Sequence, residues 1–379
     1  MASSVRPLQK ILFGSPGTGK SYKIRTIATE QLGIELDERT KTLSNTIKTV
    51  FHPEYTYADF MGKLLPHTQG GNVIYKFYPG HFLQALGNAY KSLMNGDESH
   101  HLLVIDELNR GNAAAIFGTV FQLLDRENDD WSSYEVDLST LELIELLRIM
   151  EIATEINKND EILVSKLSVK LLHDYFSEIE HKREEDSEIS RLAGLLKRNK
   201  ISLPPNLSIL ATINTSDESI YYLDSAFKRR WDWEYIASPR NTFYVPEVIQ
   251  NSKVSFEYVN DDFKIDLRIL GHWHDCVVGV NKFIIENSSS IKRIEDKQIG
   301  WWFIKSENDC IPLEVIRHKL MFYLWDSVFS KDRRPLESIL SRRLKESDFK
   351  LITFADFIEH TEVLVKYFIE IGDPTDLGF

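Results

Sequence analysis

The chain has 379 residues, enough for two domains and a sizeable core. Its net charge of −12, from 45 Lys and Arg against 57 Asp and Glu, sets the bulk surface against nucleic acid, so DNA contact has to come from a local patch or another polypeptide. Cys276 and Cys310 give no disulfide framework or metal-ligand cluster, the start Met1-Ala-Ser-Ser4 is no signal peptide, and no apolar run approaches the ~20 residues of a membrane span, so the expectation is a soluble cytoplasmic enzyme without a membrane partner.

Along the chain, Ile11-Leu-Phe13 reads as a strand running into Gly14-Ser-Pro-Gly-Thr-Gly-Lys-Ser21, and Tyr22–Ala28 reads as a helix. The eight residues fit G-x-x-x-x-G-K-[ST], a loop whose glycines let backbone N–H groups curl around a phosphate chain. The helix adds its free N-terminal N–H groups and positive dipole end. Gly14, Ser15, Pro16, Gly17, Thr18 and Gly19 are the expected cradle, Lys20 reaches the β- and γ-phosphates, and the Ser21 hydroxyl binds Mg²⁺. The next landmark, His101–Glu107, is an apolar strand ending in two acids. Asp106 is expected to hold Mg²⁺, through water, because that ion dehydrates reluctantly. Glu107 is the base that orients or polarises the attacking water.

Between about residues 128 and 203 the chain reads as a helical insertion. Leu141–Met150 has helical spacing, and Ile162–Phe176 and Ile189–Leu196 repeat it. Glu178–Asp186 is a charge run, a solvated helix or loop. Pro204-Pro205 stops helix, and the sheet restarts at Leu207. Partner docking, DNA contact and packing are all open to this insertion; packing plus docking is preferred because it has no concentrated basic stripe.

Ile209–Asn214 is a further apolar strand, ending in an amide that can hydrogen-bond the water or the γ-phosphate. Leu223–Trp231 reads as a short helix ending in Lys228-Arg229-Arg230, followed by the strand Trp231–Ile236. Arg229 or Arg230 is either a solvated helix end favoured by the dipole or, on the preferred reading, an arginine finger reaching the γ-phosphate of a neighbouring subunit. After Pro239, helices are expected over Phe263–Leu270, His272–Ile285, Ile316–Phe329 and Phe354–Ile369, with a hairpin around Ile294–Ile304. Trp273, Trp325 and Phe329 are expected core aromatics, His272 and His274 are structural, and the tail Gly372–Phe379 frays.

Six segments carry a resemblance: Gly14–Ser21, Phe51–Phe60, Ile105-Asp-Glu-Leu-Asn-Arg110 with Phe117-Gly118, Asn214-Thr-Ser-Asp217, Phe227-Lys-Arg-Arg230 and Gln298-Ile-Gly300. Together they resemble the AAA+ motor of the McrB family, the GTP-hydrolysing subunit of modification-dependent restriction systems. The first and third are shared with other AAA+ relatives such as MoxR-type chaperones, while Phe51–Phe60, Asn214–Asp217 and Gln298–Gly300 point to the McrB branch. The resemblance implies a homo-oligomeric ring, usually a hexamer, with nucleotide at subunit junctions, the insertion near the ring's central face, and a McrC-type partner carrying the nuclease. DNA is then met through the complex. Two features depart from the family. Its DNA-reading domain would precede the motor, so either an N-terminal domain has been removed or recognition lies on another subunit. Trp301-Trp302-Phe303 also stands where small polar residues usually follow Ile-Gly, and reads as lid core.

The expected fold is α/β, an AAA+ P-loop αβα sandwich with a parallel sheet, a helical insertion before the sensor strand and a mainly helical C-terminal lid. Its divisions are 1–238 for the nucleotide-binding domain, with the insertion at about 128–203, and 239–379 for the lid. The Asn214 strand should lie between the Lys20 and Asp106 strands. The favoured function is a Mg²⁺-dependent GTPase motor of a restriction complex; the alternatives are a MoxR-like ATP-driven remodelling factor and a nucleotide-locked scaffold with little turnover. The GTP preference rests on the resemblance, not on an identified base contact.

Overall fold

The apolar segments that lead into the motifs become strands of one sheet in the computed structural model, which describes residues 5–165, 169–182, 187–215, 221–259 and 265–373. The strands are Gln9–Gly14 (β1), Thr46–Val50 (β2), His101–Asp106 (β3), Leu207–Asn214 (β4) and Asp232–Tyr235 (β5), in the order β5-β1-β4-β3-β2. The sheet is parallel, with β3 registered on both neighbours: Leu103 faces Ile209 of β4 and Ile47 of β2. Residues 101–105 of β3 and 207–213 of β4 are buried without alternation, as a sheet covered on both faces requires. The Asn214 strand thus lies between the phosphate-loop strand and the Asp106 strand, as expected.

The helices follow from local signals. Lys20–Thr26 (α1) opens directly from the glycine loop, and His81–Asn95 (α2) buries Phe82, Leu83, Leu86 and Tyr90. Thr140–Ile149 (α3) starts in a capping box, in which the Ser139 hydroxyl accepts from the Glu142 N–H and the Glu142 carboxylate accepts from the Ser139 N–H. Leu172–Lys182 (α4) and Glu188–Lys197 (α5) pack together, and Ser225–Lys228 (α6) is a single turn capped by Asp224. Between the sheet and α2, Gly62–Gln69 and Asn72–Pro79 form a two-stranded hairpin turning at Gly70-Gly71. It exposes Leu64, Leu65, Val73, Ile74 and Tyr75 and carries no Asp or Glu.

The chain divides into two compact units: Met1–Leu12 with Ser21–Ile213 and Glu218–Glu234, and Phe13–Lys20 with Asn214–Asp217 and Tyr235–Phe379. The second is mainly helical, containing Trp273–Glu286 (α7), Ile294–Lys297 (α8), Phe354–Glu359 (α9) and Thr361–Gly372 (α10). Its core includes Trp273, Phe283, Leu324, Phe329, Phe357 and Phe368, with Trp325 partly buried against it.

Four local expectations are corrected. Ile162–Ser165 is a strand, paired with Thr154–Ile156 and Val169–Leu171, and helix begins only at Leu172; buried Ile162 and Val164 alternate with half-buried neighbours, and β-branched residues favour that choice. Among the described residues the insertion is therefore mixed, three helices with a three-stranded and a two-stranded sheet. Ile265–His272 is a strand antiparallel to Lys253–Val259, since Ile265, Leu267 and Ile269 alternate with Asp266 and Arg268. Ile294–Ile304 forms helix α8 and a turn in place of a hairpin, because the N–H groups of Gly300 and Trp302 are committed to the phosphate loop. Phe354–Ile369 breaks into α9 and α10 at His360. Within the expected segments, residues 166–168 of Ile162–Phe176, residues 183–186 of the charge run, Ser216 and Asp217, residues 263–264 of Phe263–Leu270 and residues 374–379 of the tail lie outside the described residues.

Candidate nucleotide site

The phosphate loop has four consecutive carbonyls held by donors of its own chain. The Lys20 ammonium donates to Gly14 O and Ser15 O, each at 2.9 Å, and the Thr18 hydroxyl donates to Ser15 O at 3.0 Å. The Gly300 N–H donates to Pro16 O at 3.0 Å, and the Trp302 N–H to Gly17 O at 2.9 Å. In a trans peptide the N–H points opposite to the carbonyl, so the amides of Gly17 and Thr18 face away from residues 300–302. Gly17 and Gly19 have φ of +73° and +94°, where a side chain is strained. A Cβ at Gly17 would fall 2.5 Å from the Phe303 N, and one at Gly19 2.4 Å from Cζ3 of Trp302. Lys20 and Ser15 are buried. A cationic loop with backbone amides set on one side suits a phosphate chain.

At the end of β3, Asp106 and Glu107 are arranged by a residue the sequence reading did not select. The Thr212 hydroxyl donates to Asp106 Oδ1 at 3.0 Å and accepts the Glu107 N–H at 3.2 Å. Glu107 itself has φ 55° and ψ 45°, a left-handed conformation rare for a residue with a side chain. The turn it makes starts the helical segment Leu108–Arg110. The signal for Thr212 was its place two residues before Asn214 on a strand, which puts both polar side chains on one face. Asn214 is half-buried at the end of β4, and Ser21 is exposed in the first turn of α1. The Ser21 hydroxyl and the oriented Asp106 carboxylate are both oxygen donors, the type that Mg²⁺ takes.

The two arginines after α6 have different surroundings. Arg230 forms an ion pair with Asp125 (2.7 Å), donates to Ala226 O at 3.0 Å and lies over the Phe121 ring. Arg229 is exposed, and no partner for its side chain is found among the described residues.

No protein-family model matches the chain. It is similar to the "Type II restriction enzyme BsuMI component YdiS" of Bacillus subtilis (strain 168), at 27% identity over 347 residues, covering 85% of this chain and 80% of that protein. It is also similar to the "Type IV methyl-directed restriction enzyme EcoKMcrB subunit" of Escherichia coli (strain K12), at 22% identity over 251 residues, covering 66% of this chain but only 39% of that subunit. Among solved structures, a putative ATPase from Cytophaga hutchinsonii aligns over 94% of this chain and 84% of its own, with 12% identity and a TM-score of 0.26. PCH-2 of C. elegans aligns over 94% and 60%, with 10% identity and a TM-score of 0.21. The strand order, rather than either structural likeness, defines the fold. Glycine loop, acid-tipped strand and polar-tipped neighbouring strand, together with these two restriction-system relatives, make the chain an McrB-like AAA+ protein with a P-loop nucleotide site.

Proposed function

We propose that the chain is the Mg²⁺-dependent, GTP-hydrolysing motor of a McrBC-like DNA restriction complex. It works as a ring, a hexamer, with nucleotide at subunit junctions, and drives or regulates a separate McrC-like nuclease subunit, with DNA met through the complex. The observation that carries this reading is the arrangement at the end of β3, where one hydroxyl, that of Thr212, orients Asp106 and fixes the turn at Glu107. An acid held for a metal beside an acid held for water is the pairing that phosphoryl transfer requires.

Each residue then has a separate task. The loop residues Gly14–Gly19 cradle the phosphates, and Lys20 exchanges its carbonyl partners for phosphate oxygens. Ser21 and Asp106 hold Mg²⁺, which neutralises phosphate charge when bound. Glu107 accepts the proton of the attacking water, and Asn214 orients that water. Arg229, exposed at the end of α6, serves a neighbouring subunit, while Arg230 anchors the turn that presents it. Residues 239–379 form the lid. The restriction role is taken from the two relatives by name, and the GTP preference from the resemblance to McrB. Turnover of GTP and ATP in competition, with and without the candidate nuclease subunit, tests the assignment. Equal use of both nucleotides, or preference for ATP, turns the reading toward a MoxR-like remodelling ATPase; negligible turnover in every condition turns it toward a nucleotide-locked scaffold.

A further inference from the structure

The segment from α8 to Phe303 is fixed on one side to the second unit and on the other to the phosphate loop, which that unit includes. On the first side, buried Asn281 of α7 clamps Ile299, accepting its N–H at 2.8 Å and donating to its carbonyl at 2.9 Å. The Trp273 indole donates to Trp301 O at 2.8 Å, and the Tyr323 hydroxyl to Lys297 O at 3.1 Å. On the second side, Gly300 and Trp302 donate to Pro16 O and Gly17 O, and the Ser15 hydroxyl donates to Glu295 O. Gly300 touches the loop so closely that a Cβ there would lie 2.1 Å from Gly17 O and 2.3 Å from Thr18 Cα. The Trp302 ring lies over Gly19.

We propose that this strap, residues 298–303, is a clip that sets the phosphate loop in its binding shape, with Gly300 and Trp302 as positioning residues for a triphosphate. The inference rests on the nucleotide reading of the loop. Its physical basis is the direction of two peptide planes. By accepting hydrogen bonds from the strap, the carbonyls of Pro16 and Gly17 turn the following N–H groups to the opposite side. A glycine loop left to itself samples many orientations, and fixing two of its planes beforehand removes an ordering cost from binding. The strap takes carbonyls and phosphate takes amides, so the two do not compete. They favour the same loop shape, and each should therefore tighten the other by the same factor.

The test is titration calorimetry of the whole chain with Mg²⁺–GTP, Mg²⁺–ATP and inorganic tripolyphosphate, which has no base or sugar. Gly300→Ala is expected to weaken the favoured nucleotide and tripolyphosphate by the same factor, about tenfold or more, because the defect lies in the phosphate cradle. Trp302→Phe, which keeps the backbone donor and a ring over Gly19, should stay within about threefold of the parent. Hydrogen exchange on the unmutated protein gives a second measurement independent of variant folding: the Gly300 and Trp302 amides should exchange more slowly when tripolyphosphate saturates the loop. Unchanged affinity in Gly300→Ala, tighter binding in that variant, or exchange at residues 300 and 302 indifferent to tripolyphosphate each overturns the clip. A parent protein that binds none of the three ligands overturns instead the nucleotide reading beneath it.

Discussion

Arg230 reaches one oxygen of Asp125 twice, through Nε at 2.9 Å and Nη2 at 2.7 Å, with its guanidinium 4.1 Å from the centre of the Phe121 ring. Its neighbour Arg229 is exposed. The two adjacent arginines should therefore separate under mutation. Arg230→Ala strands the Asp125 carboxylate and is expected to cost roughly 1–3 kcal/mol of stability. Arg229→Ala should stay within about 0.5 kcal/mol of the parent while hydrolysis falls by about 10³-fold or more. Mixing Arg229→Ala with Lys20→Ala protein should restore turnover at junctions where one chain supplies the loop and the other the arginine. Denaturation curves and mixed-ring assays check this; wild-type hydrolysis by Arg229→Ala alone removes it from the mechanism.

Lys20 and Glu107 should fail differently. Lys20→Ala is expected to lose nucleotide affinity. Glu107→Gln should bind nucleotide normally and hydrolyse it about 10²–10⁴-fold more slowly. The left-handed backbone at Glu107 adds a stability signature, since a side chain costs roughly 1–2 kcal/mol in that conformation. Glu107→Gly should abolish hydrolysis without lowering the thermal midpoint. A clear drop in that midpoint would show that the carboxylate stabilises the turn and is not held there at a cost.

Thr212 offers a test of how Asp106 is oriented. Thr212→Val keeps the shape of the side chain but deletes the hydroxyl that donates to Asp106 and receives the Glu107 N–H. Losing such a supporting hydrogen bond typically costs about 10–100-fold in metal affinity or activity. The Mg²⁺ concentration at half-maximal hydrolysis should rise, and Thr212→Ser should largely restore it. Identical Mg²⁺ curves for all three proteins would mean that the hydroxyl serves the fold alone.

Acid sensitivity should come in part from His100, just before β3. Burial, with the neighbouring His101 and Arg126 adding to it, pushes its pKa from 6.5 down to about 4. Its Nε2 lies 2.7 Å from the Ser208 hydroxyl, which also accepts the Leu8 N–H. His100 is therefore neutral when folded and takes a proton on unfolding below pH 6.5. Its contribution is fully present above about pH 6.5 and is lost as pH falls toward 4, a loss of roughly 3 kcal/mol. His100→Gln should flatten the fall in urea midpoint between pH 7 and pH 5. A slope as steep as the parent's would place the titrating group elsewhere.

The sheet and the motifs were legible because each depends on contiguous residues. An unbroken apolar run ending in Asp106-Glu107, or eight residues ending in Lys20-Ser21, carries its own explanation. Thr212 was harder to see because its role depends on a partner 106 residues away. The strap failed as a predicted hairpin for the same reason. Its backbone donors are spent on Pro16 and Gly17, far away in sequence, and no local pattern announces that. Arg229 and Arg230 look equivalent as text and differ only because Asp125 and Phe121 meet one of them. Ile162–Ser165 and Ile265–His272 were misread because short apolar segments fit both periods, and their cross-strand partners decided between them.

The hairpin formed by Gly62–Gln69 and Asn72–Pro79 bears on how the protein behaves in concentrated solution. Among the described residues its two strands pair only with each other, so each offers a row of amides and carbonyls on which a further strand can add, flanked by exposed Leu64, Val73 and Tyr75. Pro66, opposite Tyr75, interrupts that row with a residue that has no N–H to give. Lys76 adds a charge to the ribbon, which contains no acid, while Lys63 pairs with Asp59 just before it at 2.7 Å. The hairpin thus keeps an apolar surface in water while its own sequence discourages the edge-to-edge growth that leads to aggregation.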